Sequence, residues 1–382
     1  MTKSIRTLFT VPLVILIVAL ALVIIGVSYY NGQRAVSEIG AQLHQEISAR
    51  ISQHIHDFLE VPHLINALNT TLDTSRFEYV GQQFQHQVNI SDVPYVFYGD
   101  EEGNFIGVQR MPEKTVLKIR DAKSAPLRNI YQIDKSGQQI QHIKNKTSRY
   151  DPRVRPWYQK AKKTGYATWS DIYVSAHRDV LQITPVVPVY DDLGKMRGVF
   201  GANFILSQLS DFLKGLKIGQ TGQAFIMDRT GKIVAASIDT PLSVGGKTPR
   251  PLSAVKSEDP LIRSVAEYIT SEWNSISRFS KQQRSHILKL DGRTTELSLY
   301  EDGRGIHWII AVTIPDTDFT AGIKGNTLWT LGLSLLAVLI AILVGIAVAQ
   351  HVTKPILQLN QHVKKLSGGD WKAWDLATDV KR

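Results

Sequence analysis

No cysteine occurs anywhere in the 382 residues. No disulfide framework braces this chain, so any folded part must rest on a hydrophobic core, which this length can build. Also missing are the HExxH, GxSxG and phosphate-loop patterns that carry metalloprotease, serine-hydrolase and nucleotide chemistry. No catalytic residue, metal or cofactor is therefore assigned. His54 and His56 in "SQHIHDF" stand at i, i+2, a spacing that does not share one helix face, so they do not read as a metal pair. Asp191-Asp192 and Asp100-Glu101-Glu102 read as solvated turn tips.

Charge is missing from two long stretches. Leu8–Tyr30 and Leu328–Gln350 are each 23 residues without a charged side chain, against the roughly 20 needed to cross a hydrocarbon core as a helix. Both are expected to span a membrane. The first follows the basic end "MTKSIR" and has the alternative of a cleaved signal peptide. Its length and its bulky Ser28-Tyr29-Tyr30 end favour an uncleaved anchor. Lys3 and Arg6 precede the first run, and Lys354, Lys364 and Lys365 follow the second. Cationic flanks stay cytoplasmic, which places both termini inside and residues 31 to about 326 outside. A membrane crossed twice is expected.

The net charge of +10 thins out once divided. The tail carries +2, and the segment after Gln350 has six basic residues against three aspartates, leaving +5 for nearly 300 outer residues. Nucleic acid is not an expected partner at that density.

From Asn31 to about Asp73, Val36, Ile39, Leu43, Ile47, Ile51, Ile55 and Phe58 recur at steps of three and four, which predicts one long amphipathic helix. Its stripe must pack on the domain it leads into or on a second copy, so a homodimer is suggested. Hairpins are predicted at Tyr95–Val108 and Asp179–Leu206, and a helix at "LSQLSDFLKGL". The pattern then restarts with a hairpin at Gln223–Ser237, a helix at about Pro260–Ile276, a hairpin at His286–Tyr300 and a buried strand at Ile306–Pro315. The fold class is thus α+β, two hairpin-rich modules on one helix. After the second apolar run, Pro355 precedes Ile356, Leu359, Val363 and Leu366 at 3-4-3 spacing, a coiled-coil seam, with a lipid-lying amphipathic helix as the alternative.

One segment stands apart by composition: "RYDPRVRPWY", Arg149 to Tyr158, with three arginines, two tyrosines and a tryptophan in ten residues. Together with "LQITPVVPVYDDLGKMRGVFGANF" and "GQAFIMDRTGKIVAAS", in that order, it resembles bacterial transmembrane receptors with a periplasmic double-Cache sensor domain. "VTKPILQLNQHVKKLSGGDW" is similar to the first helix of a HAMP domain. The resemblance implies seven parts: a cytoplasmic tail (1–7), a first transmembrane helix (8–30), a stalk helix (31–75), a membrane-distal PAS-like (Cache) module (76–215), a membrane-proximal one (216–326), a second transmembrane helix (327–350) and a partial HAMP (351–382). It also implies an output domain, in a cyclase, histidine kinase or chemoreceptor, beyond what these 382 residues supply. No catalysis is expected within them.

In the amino-acid-binding branch of that family the distal module grips its ligand with a Tyr, an Arg and a Trp-Tyr pair, then a Tyr-x-Asp and an Asp on the last long strand. By resemblance these fall on Tyr150, Arg155, Trp157, Tyr158 and Tyr173. Two acids are replaced, by Ser175 and Asn203, with Asp171 as a substitute carboxylate. A guanidinium suits a carboxylate, whereas an ammonium facing only Ser and Asn lacks its counter-charge. The expected ligand is therefore a small organic acid or another carboxylate-bearing molecule rather than a zwitterionic amino acid. Two alternatives stay open: Trp157 and Tyr158 as core aromatics with Arg149 and Arg153 merely solvated, and a ligand-blind membrane scaffold dimerising through the long helix.

Overall fold

The computed structural model describes residues 5–143, 148–175, 180–245, 249–282, 285–318 and 332–347, with single positions at 329, 351, 355 and 363. Helix α1 runs without a break over Ile5–Asn69. Its early part is apolar on every side: Ile15, Leu16, Leu20, Leu22, Val23, Ile24 and Val27 are all exposed, a surface of the kind that suits lipid better than water. Among the described residues it is the one helix long and apolar enough to cross a membrane by length and composition, with a shorter apolar helix at Gly332–Ala347. Of the expected coiled-coil seam, Pro355 and Val363 are helical and exposed, while Ile356, Leu359 and Leu366 lie outside the described residues.

The chain divides into two compact units, Met1–Ala41 with Phe319–Arg382, and Gln42–Asp318. In the second unit the stripe of α1 turns inward. Ile47, Ile51, Ile55 and Leu59 are buried, as are His44 and Ser48, whose side chains reach the Thr294 carbonyl (2.9 Å) and the Glu296 carboxylate (2.8 Å). This part of the stripe is thus covered by the chain's own second module, one of the two expected alternatives.

After α2 (Phe77–Ile90) come β1 (Tyr95–Asp100), β2 (Phe105–Arg110), β3 (Thr115–Arg120), β4 (Leu127–Ile133), β5 (Gln139–His142), β6 (Ser148–Arg149), α3 (Pro156–Thr164), β7 (Thr168–Trp169), β8 (Tyr173–Val174), β9 (Leu181–Ile183), β10 (Pro185–Tyr190) and β11 (Met196–Ile205). These strands form an antiparallel sheet in the order β5-β4-β3-β2-β1-β11-β10-β7. The expected hairpins are present as β1–β2 and β10–β11. Strands β3 to β5 and helices α2 and α3 add to them. Alternation divides β1 between two cores: Val96 and Tyr98 pack under α2 with Val80, Phe84, Val88 and Phe200, while Tyr95 and Phe97 pack under α3 with Phe105, Trp157, Tyr158 and Val199.

Helix α4 (Leu206–Gly215) leads to the second module: β12 (Gln223–Asp228), β13 (Ile233–Ala236), a small pair β14 (Ser243–Val244) and β15 (Arg250–Pro251), α5 (Pro260–Trp273), α6 (Ile276–Gln282), β16 (Ser285–Leu290), β17 (Arg293–Glu301) and β18 (His307–Pro315). Its five-stranded sheet, in the order β13-β12-β18-β17-β16, is covered by the apolar face of α5, with Ile262, Val265 and Ile269 against Phe225, Leu297 and Ile309. Asp259 caps α5 by accepting from Ile262 N at 2.8 Å, and Pro260 opens it, a standard start signal. The fold is α+β with a long N-terminal helix and antiparallel sheets.

Candidate functional site

The cluster 149–158 is shaped by its prolines. Asp151 accepts from Arg153 N at 2.9 Å and caps the short 3-10 turn Pro152–Val154. Arg155 precedes Pro156 and is held extended, at φ −80° and ψ 146°, the conformation that a following proline imposes. Pro156 then opens α3. Its next two residues, Trp157 and Tyr158, turn into the core: Trp157 meets the Phe97 ring edge-on at 4.8 Å, and the Tyr158 hydroxyl donates to Glu101 at 2.8 Å. Burial and the bond to the Glu101 carboxylate push the Tyr158 phenol up.

The three arginines separate. Arg149 is exposed. Arg153 is clamped by Asp151 (2.7 Å) and donates to the Glu101 carbonyl (3.1 Å), so it is paired rather than merely solvated. Arg155 lies over the Tyr173 ring, 5.9 Å from its centroid, and among the described residues its polar contact is one 3.3 Å bond to the Val174 carbonyl. Asp171, the substitute acid, is 88% exposed and paired with Lys160 at 3.1 Å. It is therefore a surface ion-pair partner, where the sequence reading had a pocket carboxylate. Ser175 is half-buried, with its amide bonded to the Val180 carbonyl.

Asn203 and Tyr173 meet in a buried relay. The Tyr173 hydroxyl lies 2.7 Å from Thr184 Oγ1, Thr184 donates to Asn203 Oδ1 at 2.8 Å, and Asn203 Nδ2 donates to Gln182 Oε1 at 3.0 Å. Each of these polar atoms has its partner inside the protein. Burial pushes the Tyr173 phenol up.

Register brings further residues to this face of the sheet. Tyr95 pairs with Asn203 on one side and with Gln109 on the other, and Gly107 pairs with Lys118. Lys118 Nζ lies 4.4 Å from the centroid of the Tyr95 ring. From β4, the guanidinium of Arg128 stacks on Tyr150 at 3.7 Å and lies 5.4 Å from the centroid of Phe105. The Tyr95 phenol, pushed up by burial, sits within the fields of Arg128, Tyr150, Tyr173 and Arg155. Tyr95, Tyr150, Tyr173, Arg128 and Arg155 therefore converge, with Lys118 beside them. Tyr95, Lys118 and Arg128 were not singled out in the sequence, because "TVLKIR" and "LRNIYQI" alternate as ordinary strands whose polar positions normally face water.

Floor space is set by two glycines. A Cβ at Gly107 would stand 2.8 Å from both Phe97 and Tyr95, and one at Gly201 2.5 Å from the Phe97 ring. A cavity of about 380 Å³ between α1 and the first module reaches Asn203 from the side of the stalk helix and is also lined by His54, Asp57, Phe58, Asp92 and Phe204. Among the described residues no cluster of three or more His, Asp or Glu side chains suits a metal ion.

The Cache-domain family (dCache_1) matches residues 32–323. This chain belongs to that family. The chain is similar to curated relatives that include the methyl-accepting chemotaxis protein McpB of Bacillus subtilis, 24% identical over 63% of this chain, and Adenylate cyclase 1 of Rhizobium meliloti, 22% identical over 97%. The chain spans 32% and 58% of the lengths of those two proteins. Among solved structures, the sensory domain of the Campylobacter jejuni chemoreceptor Tlp3 with isoleucine bound is similar over 75% of this chain and 97% of that one, at 14% identity and a TM-score of 0.48.

Proposed function

We propose that this Cache chain is the sensor part of a two-pass transmembrane receptor, with both termini cytoplasmic. Its membrane-distal module (76–215) binds a small extracytoplasmic carboxylate. Arg155 is the primary contact, framed by Tyr150, Tyr173 and Asn203, with Ser175 at the rim and Trp157 and Tyr158 as the rigid wall behind them. One observation carries the reading. Arg155 is a half-buried guanidinium in a converging ring of tyrosines, bonded to a single backbone carbonyl and, among the described residues, to no carboxylate. A planar fork with unused donors is a seat for an acid.

The signal then passes to the membrane-proximal module (216–326), the second transmembrane helix (327–350) and the HAMP-type helix, where Pro355, Ile356, Leu359, Val363 and Leu366 form the relay in a homodimer. Ligand drives this only as far as its affinity differs between two states of that relay. The relatives named as a chemotaxis protein and a cyclase support an output domain or partner in the cytoplasm. Isothermal titration of the full chain in lipid nanodiscs, against organic acids and α-amino acids, tests the proposal. A small acid is expected to bind, and Arg155→Ala to abolish that binding with the circular dichroism spectrum unchanged. Absence of binding by every acid and amino acid in the panel overturns the receptor reading in favour of a ligand-blind scaffold.

A further inference from the structure

Arg128 presents a difficulty of its own. It is 2% exposed, yet among the described residues its Nε and Nη2 find no hydrogen-bond partner. Stacking on Tyr150 at 3.7 Å recovers part of the lost hydration through the ring's negative face, but it leaves those two donors unmet. A buried guanidinium without an acceptor is among the more costly arrangements a protein can hold. The buried Tyr95 hydroxyl, close enough to feel the Arg128 charge, is likewise without a partner. Several unused donors thus collect on one side of the tyrosine–arginine cluster.

The other side is the reverse. Around Asn203 each amide oxygen already takes a donor from the protein: Oδ1 takes the Thr184 hydroxyl, and Gln182 Oε1 takes the Asn203 amide. An ammonium group, which brings only donors, finds neutral amides and hydroxyls in that relay and no carboxylate to balance its charge. A second acidic group finds Arg128 and Tyr95. The strands supplying Arg128 and Asn203 lie on opposite sides of β1 in the sheet, so Arg128 is displaced across the sheet from the Tyr173–Asn203 relay.

We infer that Arg128, with Tyr95, forms a second anion seat in the distal pocket, and that the ligand class is a short dicarboxylate: one acid held by Arg155, the other by Arg128 and Tyr95. This rests on the receptor reading above. It adds two binding residues and a requirement for two acids. Lys118, whose Nζ lies 4.4 Å from the centroid of the Tyr95 ring, raises the local positive potential for the second acid.

The test is isothermal titration of the full chain in nanodiscs with malonate, succinate and glutarate, against butyrate and L-2-aminobutyrate. Butyrate keeps the four-carbon chain and removes one acid, and the amino acid adds an ammonium. The best diacid is expected to bind at least about tenfold more tightly than either. Arg128→Met should lower diacid affinity to the butyrate level and leave butyrate unchanged. Arg155→Ala should abolish the binding of both. Tyr95→Phe, which keeps the core ring, should weaken the diacid alone and gives the answer independently if Arg128→Met fails to fold. Butyrate or the amino acid binding as tightly as every diacid overturns the two-acid inference while leaving the receptor reading intact. So does a diacid-to-butyrate ratio untouched by both the Arg128→Met and Tyr95→Phe changes. Failure of all five probes removes both.

Discussion

The indole Nε1 of Trp169, on β7 of the distal module, donates to Asp302 Oδ2 of the proximal module at 2.5 Å. The other carboxylate oxygen of Asp302 accepts from the amides of Arg304 and Ile306, at 2.9 and 2.8 Å. The same loop ties back to Thr168 through the Arg304 carbonyl and to Glu60 of α1 through the Arg304 guanidinium. Two modules and the stalk helix therefore meet at one loop, Asp302 to Ile306.

Trp169→Phe keeps a ring against His63 and removes the donor. A hydrogen bond to a charged group contributes about 1.5–3 kcal/mol, and a loss of that order is expected in urea denaturation of the solubilised chain. Because the bond joins the two modules, the variant should also separate their unfolding into two steps by circular dichroism. A single transition at the unchanged midpoint would show that the joint contributes nothing.

His63 makes this joint sensitive to acid. It is buried, lies edge-on to Trp169 at 4.8 Å, and has its pKa lowered to about 4, first by burial and then by the Arg304 charge, against the opposing pull of Asp302 and Glu60. The unfolded chain, with an ordinary imidazole, binds more protons between about pH 6.5 and 4, so stability falls as pH drops through that window. By pH 5 the cost from this group is on the order of 2 kcal/mol. His63→Phe should flatten the slope of stability against pH between 7 and 5, measured as urea midpoints. An unchanged slope would assign the acid sensitivity to other groups.

The α1 stripe was legible in sequence as a face that must be covered, but not what covers it. Its burial by β17, through Ser48 and Glu296, depends on a contact 248 residues distant. Ile51→Ala should cost about 2–5 kcal/mol, independently of protein concentration, since Ile51 is fully buried within one chain. Ile39→Ala, at a position 60% exposed, should leave that stability within about 0.5 kcal/mol and shift only a dimer equilibrium, read by analytical ultracentrifugation.

Hairpins with Gly-containing turns and the Arg-Pro-Trp-Tyr segment were readable because local chemistry fixes them: Pro156 starts α3 and holds Arg155 extended whatever surrounds it. Half of the candidate site was not readable. Lys118 and Arg128 alternate with apolar neighbours just as solvent-facing residues do, and only the pairing of β1 to β4 turns them inward. Asp171 erred in the opposite sense. Its position two residues before Tyr173 made it a plausible acid, but the strand-edge geometry sends it out to Lys160. Sequence alternation gives the period of a strand; which face is dry is decided by partners far along the chain.

Asn203→Asp tests the logic of the pocket directly. The substitution replaces an amide with a carboxylate in a buried relay beside Tyr95 and Tyr173. Gln182 can rotate its amide to donate where it now accepts, so the fold should tolerate the change. The new negative charge stands beside Tyr173, whose ring carries Arg155, and repels the acid that Arg155 holds. Affinity for the bound acid should fall by at least about tenfold, or roughly 1.4 kcal/mol. L-2-Aminobutyrate should gain, because its ammonium now meets a counter-charge. Both shifts are read by titration of wild type and variant side by side. An acid affinity unaffected by the added carboxylate would mean that the ligand does not approach Asn203, and would move the seat of Arg155's partner elsewhere in the module.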